Sequence, residues 1–301
     1  MRPIPIIFFH YGNSDYLKYS LKQARYFNPD AEIYLIGDKS NNKYSFVKHV
    51  IASDFSDAGA QFTPVYKHQS PNSYNYELNC YLRWFYVRDF CKANNIEAFI
   101  YLDSDVLVFQ DFTKLVPLFN NARIANTCEE NGVPAFTYFK DYKTISSFCD
   151  YMVKSYTEQA AVARLDSIYE SFENDPEMVG GICDMILFHL YFHDHPEGAL
   201  KVDFVTDDIA IDSNIKRPDI YEMENGFKKI YWKEGLPYGK DAVSGKLIRF
   251  AALHYQGNAK DVMRQHYTAG GYRVAKYLED KGVKSKVKQA KKSIKGLFKN
   301  K

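Results

Sequence analysis

Continuous apolar runs, each closing on small or polar residues, punctuate the first half of the chain. The interiors of "IPIIFFHYG" (4–12) and "EIYLIGD" (32–38) contain no polar position to alternate with, the pattern of a strand buried on both faces. Between them, "SDYLKYSLKQARYF" (14–27) puts Leu17, Leu21 and Ala24, flanked by Tyr16 and Ser20, at helical spacing. Ser14 is the expected N-cap and Asn28-Pro29-Asp30 the stop. Strand, helix, strand predicts a βαβ unit in a parallel sheet. A looser polar stretch (40–75) precedes a helical segment, "NYELNCYLRWFYVRDFCKANN" (75–95), and another apolar strand, "EAFIYLDSDVLVFQDF" (97–112). "ARIANT" (122–127) reads as a further strand and 141–195 as mainly helical. Within it, "VGGICDMILFHLYF" (179–192) is a Gly-Gly turn leading into an apolar helix. Residues 200–260 read as short strands and turns. The expectation is an open α/β sheet flanked by helices, spanning 1–280, followed by a separate tail over 281–301.

Ligands of open α/β sheets sit at the carboxyl ends of the strands. Those ends are His10-Tyr11-Gly12, Gly37-Asp38 and Asp103-Ser104-Asp105, all polar or small, as a nucleotide cleft requires; the plain alternative is that polar residues mark where strands stop. Asp103-x-Asp105 stands out because apolar strand sequence lies on both sides. Residues two apart on a strand share a face, so both carboxylates are expected to point into one cleft. Two neighbouring anions repel, and a desolvated carboxylate costs several kcal/mol unless paired. A divalent cation resolves both problems, since Mg(II) and Mn(II) take carboxylate and phosphate oxygens. The competing reading is a strand end with two solvated aspartates.

A second constellation lies far downstream in "LIRFAALHYQGNAKDVM" (247–263), where an apolar strand delivers His254, followed by Gly257 and Lys260. Imidazole is a suitable further ligand for Mn(II). A glycine lets backbone approach a phosphate, and a lysine supplies charge to it.

With both motifs in view, the chain resembles the GT-A glycosyltransferases, most closely the retaining glycogenin-like and bacterial lipooligosaccharide galactosyltransferase group. That group carries a strand-borne Asp-x-Asp and a distant His-x-x-Gly-x-x-Lys. The resemblance implies a GT-A, Rossmann-like mixed sheet. It also implies metal ligation (Mn(II) or Mg(II)) by Asp103, Asp105 and His254, and contact of Gly257 and Lys260 with the donor diphosphate. An arginine on the helix before the acidic strand is expected near the donor: Arg83, with Arg88 as competitor. Tyr11 and Asp38 fall where such folds hold the base and ribose, and Ser104 lies between the two aspartates, which gives a donor-contact set of Tyr11, Asp38, Arg83, Ser104, Gly257 and Lys260. The implied donor is a UDP-sugar and the implied outcome retention. Should the reaction invert, a carboxylate must act as base, and Asp184, Glu129 and Glu130 are the candidates. The chain departs from the pattern in having Asp261-Val262 after the lysine rather than Pro-Trp, and Asp184-Met185 where an Asp-Gln pair is usual.

Composition adds less. The 46% apolar and 16% aromatic content supports a sizeable core, and the five scattered cysteines with no CxxC suggest reduced thiols. The net charge of +2 splits into +9 on residues 281–301 and −7 on the first 280. In that tail Val283, Val287, Ala290, Ile294, Leu297 and Phe298 recur every three to four positions among lysines. This is either a basic amphipathic helix for an anionic membrane surface or a solvated lysine tail. The first reading fits a lipid-linked acceptor; a glycan is the other acceptor class expected. The body offers no basic groove for nucleic acid. No run approaches the roughly 18 apolar residues of a membrane span, and "MRPIPIIFFHYG" lacks a basic leader, so a cytoplasmic enzyme on the inner face of the membrane is expected. The rival classes are a nucleotidyltransferase, disfavoured by a first loop with no Lys or Arg before Lys18, and a non-catalytic glycan-associated protein, disfavoured because all three metal-ligand candidates are present.

Overall fold

A computed structural model describes residues 2–55, 57–119, 122–127, 133–175 and 180–269. Glu129, Glu130 and the whole of 281–301 lie outside the described residues.

The opening βαβ unit is present: β1 (Ile6–His10), α1 (Leu17–Phe27) and β2 (Ile33–Gly37), with β1 and β2 parallel. Next come β3 (Lys48–Ile51), α2 (Tyr74–Ala93), β4 (Phe99–Leu102), β5 (Val106–Val108) and α3 (Phe112–Leu115). They are followed by β6 (Ile124–Thr127), β7 (Val133–Phe139), α4 (Tyr142–Ser155), α5 (Gln159–Asn174) and α6 (Asp184–Asp194). The last part is strand-rich: β8 (Ala199–Lys201), β9 (Phe204–Thr206), β10 (Ile209–Ile211), β11 (Met223–Glu224), β12 (Phe227–Lys228), β13 (Tyr231–Lys233), β14 (Leu236–Lys240) and β15 (Leu247–His254), closed by α7 (Lys260–His266).

Seven strands form one mixed sheet in the order β3-β2-β1-β4-β7-β6-β8. The continuous apolar runs follow from burial on both faces. On β4, Phe99 and Tyr101 pack with Trp84, Phe148 and Phe188 beneath α2, α4 and α6. Ile100 and Leu102 face the other way, into a core shared with Phe8, Leu17, Leu21 and Phe112. Each large side chain so removed from water contributes about 1.5–3 kcal/mol. A second sheet runs β13-β14-β15-β10-β9, with β5 paired to β15.

Two local expectations are corrected. Ser14 does not cap α1: Tyr16 occupies that position, and the Ser14 hydroxyl instead lies 3.2 Å from His10 Nε2. The polar stretch 40–75 contains a strand, β3, hidden because it sits half-buried at the edge of the sheet. Among the described residues, no helix is long and apolar enough to cross a membrane.

Candidate active site

Asp103 and Asp105 are not in mid-strand, as their flanks suggested. β4 ends at Leu102, β5 begins at Val106, and the three residues between form a turn in which the Val106 N–H donates to the Asp103 carbonyl (3.2 Å). The chain leaves the large sheet here and enters the second one. The turn thus spares the carboxylates a strand interior, where they would lack partners.

That change of sheet brings the two motifs together. β5 runs antiparallel to β15 with Val106 opposite His254, and the Tyr255 N–H donates to the Asp105 carbonyl (3.0 Å). One ligand atom each from Asp103, Asp105 and His254 lies within 4.8 Å of the others. Two carboxylate oxygens and one imidazole nitrogen form a donor set suited to Mn(II) or Mg(II), and their convergence fits such an ion.

Cationic side chains surround this trio. His254 Nε2 is 3.4 Å from Asp105 Oδ1, and Lys260 Nζ is 2.6 Å from Asp105 Oδ2. Burial works against the Asp105 charge, but His254 and Lys260 outweigh it and hold the carboxyl well below its usual range. Burial likewise opposes protonation of His254, yet Asp105 raises the imidazole to about 9. Asp103 goes the other way: burial raises it, Arg83 opposing and Asp105 adding to the rise. Arg83 Nη1 donates to Asp103 Oδ1 at 2.7 Å, and the Tyr101 hydroxyl donates to the same oxygen at 2.9 Å.

Arg83, rather than Arg88, is the arginine at the site; Arg88 pairs with its neighbour Asp89 at 2.7 Å. Asp184, at the start of α6, is 3% exposed and accepts from Arg83 and from Trp84 Nε1 (2.9 Å). Gly257 has φ +62, a region that favours glycine, and opens the short turn 257–259 that returns Lys260 towards Asp105.

Around these residues lies an open cleft of about 350 Å³, lined by Tyr11, Arg83, Asp103, Ser104, Asp105 and Lys260 among others. Tyr11 is 41% exposed, its ring edge-on to Phe9. Asp38 ties the loop after β1, accepting from the Gly12 N–H (2.6 Å) and the Ser40 N–H (2.7 Å). The Ser104 hydroxyl is 2.9 Å from His10 Nδ1. His10 also lines the cleft, as do Tyr16, Tyr76, Asn79 and Cys80, which the sequence did not mark as site residues. His10 was visible as a strand-end residue; the others sit on helical or loop positions with no distinguishing pattern.

Residues 5–164 match the model of glycosyl transferase family 8. The chain belongs to this family. It is therefore a glycosyltransferase, as the two motifs led one to expect. It is similar in structure to mouse xyloside xylosyltransferase 1 (12% identity, 66% of this chain and 85% of that one, TM-score 0.47). It is also similar to the galactosyltransferase LgtC solved with donor and acceptor sugar analogues (12%, 91% and 95%, 0.40). The glycosyltransferase GlyE of Streptococcus pneumoniae is matched over 66% of this chain and 45% of its own (17% identity, TM-score 0.36). No curated protein sequence matches the chain.

Proposed function

We propose that this glycosyltransferase moves a hexose from a nucleoside diphosphate sugar, with UDP as the nucleotide, to a glycan or lipid-linked acceptor, and that it needs a divalent cation. The observation that carries this reading is the convergence of Asp103, Asp105 and His254 beside Lys260 and Arg83 at one cleft. Asp103, Asp105 and His254 would hold Mn(II) or Mg(II), which neutralises the donor diphosphate when bound.

The donor carries its own leaving group, so the chemical demand is to stabilise charge on the departing diphosphate. Lys260 meets it by leaving Asp105 for a phosphate oxygen, and Gly257 by letting the backbone come close. Arg83 is preorganised: Asp184 and Trp84 fix one side of its environment and Asp103 the other, so its guanidinium needs no reorganisation as charge develops. Tyr11 offers a half-exposed ring for the base, Ser104 lines the same cleft, and Asp38, which ties the adjoining loop through Gly12, is the candidate for a ribose hydroxyl contact.

In the retaining pathway the anomeric carbon–phosphate oxygen bond breaks, the acceptor oxygen bonds to the same face of that carbon, and the acceptor proton passes to the departing phosphate. No side-chain base is required. Asp184 fits a role in orienting Arg83 better than one as base, because Arg83 and Trp84 already occupy it. Glu129 and Glu130 keep their place as candidates for an inverting pathway, which NMR of the product anomer distinguishes. Residues 281–301 would hold the enzyme to an anionic membrane surface on the cytoplasmic side, close to a lipid-linked acceptor.

The test is hydrolysis of UDP-sugars with and without Mn(II), repeated with Asp105→Ala. Metal-dependent turnover lost in the variant supports the site; metal-free turnover that survives the substitution refutes it.

A further inference from the structure

Lys228, at the end of β12, is a buried lysine held by the segment between β10 and β11, and that segment leads on to His254. Lys228 and Asp212 are 2% and 4% exposed, and their side chains form an ion pair. Lys228 Nζ also pairs with Asp219 and donates to the Asn214 carbonyl (3.2 Å). An ammonium taken out of water requires such partners to persist, so the cluster fixes the conformation of 212–219.

That segment in turn grips His254 from three sides. Asp212 divides its carboxylate, Oδ1 accepting from Lys228 and Oδ2 from the His254 N–H (3.1 Å). The Ser213 carbonyl lies 2.5 Å from His254 Nδ1 and so accepts its proton. The Ile215 N–H donates to the His254 carbonyl (3.0 Å), while the Ile215 carbonyl accepts from the Lys228 N–H (2.7 Å). With Nδ1 committed to Ser213, the imidazole presents Nε2, and only Nε2, to Asp105.

We infer that Asp212 and Lys228 are positioning residues for the metal site: they hold the 213 carbonyl where it selects the Nδ1–H tautomer of His254 and turns Nε2 toward Asp103 and Asp105. The inference rests on the proposed metal site. It accounts for a lysine kept in an interior where an apolar side chain would be less costly, since outer partners of a metal-bound histidine typically govern affinity by about 10–100-fold.

The experiment is Mn(II) binding alone, followed by electron paramagnetic resonance of the free ion, for the unmodified chain, Asp105→Ala, Asp212→Asn and Ile215→Val. Asp212→Asn offers an amide to two donors that both need an acceptor, so it is expected to weaken Mn(II) binding about 10–100-fold. Excess Mn(II) should restore its kcat, the loss appearing in the half-saturating metal concentration. Ile215→Val removes one methyl group from the same segment and should lower Tm with Mn(II) affinity unchanged, which a merely structural role of Asp212 would mimic. Native Mn(II) affinity in folded Asp212→Asn, with Asp105→Ala deficient, overturns the positioning role and leaves the metal site standing. Equal binding by Asp105→Ala and the unmodified chain overturns both. If Asp212→Asn does not fold, nitrogen NMR of the unmodified, histidine-labelled chain with Mg(II) decides. Read above pH 9, where the ring carries a single proton, that proton on Nδ1 supports the inference, and on Nε2 overturns it.

Discussion

Asp184 and Arg83 form a buried pair between α6 and α2, one carboxylate oxygen accepting from both Nη2 (2.5 Å) and Nε (3.2 Å) of the guanidinium. The remaining nitrogen, Nη1, reaches Asp103, so the acid that sequence alone offers as a base is the acid that aims an arginine into the cleft. Asp184→Asn is expected to cost about 10²-fold in kcat through misplacement of Arg83. The acid limb of the pH–rate profile should stay where it is, whereas loss of a general base would remove it. Asp184→Ala, which leaves the arginine buried with half its partners, should also destabilise the fold by about 3–5 kcal/mol in urea titration.

His254 and Asp105 should make the proposed metal site sensitive to pH. In the metal-free protein Asp105 raises His254 to about 9, and a metal needs the Nε2 lone pair, so binding must expel that proton. Mn(II) affinity is therefore expected to rise about tenfold per pH unit up to pH 9 and then level off, as isothermal titration across the range will read. The stability of the metal-free protein should move oppositely. Because the folded value lies above the ordinary histidine value of about 6.5, the histidine's contribution is complete below 6.5 and is lost as pH rises through about 9.

Gly257 separates backbone conformation from bulk. Its φ is +62, yet a Cβ placed there would meet nothing within 4 Å. Gly257→Ala therefore tests the left-handed backbone alone, at a cost of about 1–2 kcal/mol. A chain that relaxes this strain moves the 257–259 turn and with it Lys260. Steady-state kinetics should show a fall in kcat/KM with donor, approaching that of Lys260→Ala.

The sequence exposed the large sheet well, because strands buried on both faces carry an unbroken apolar run, as in β1, β2 and β4. It exposed the two ends of the site for the same reason: Asp103, Asp105 and His254 are polar interruptions of such runs. It concealed what depends on pairing between distant segments. Nothing local marks the turn at 103–105 as the crossing between two sheets, since β5 is apolar on account of β15, far along the chain. Nothing in the sequence around Lys228 singles it out, and only its packing against 212–219 makes it a buried ion. The Asp184–Arg83 pair was legible as two separate candidates and not as a unit, because the helices that carry them are far apart in sequence.

The lysine-rich segment 281–301 makes the proposed membrane contact testable apart from the chemistry. Nine lysines interleaved with apolar residues at helical spacing favour an anionic surface, each contributing about 1 kcal/mol close to it and less as salt screens the field. The full chain is expected to float with anionic vesicles, to float less in high salt, and to stay behind with neutral vesicles. A chain ending at residue 280 should fail to float and keep its donor hydrolysis, because every residue assigned to the donor and the metal lies before that point. Flotation unchanged by the deletion would remove the membrane role and leave the active-site assignment intact.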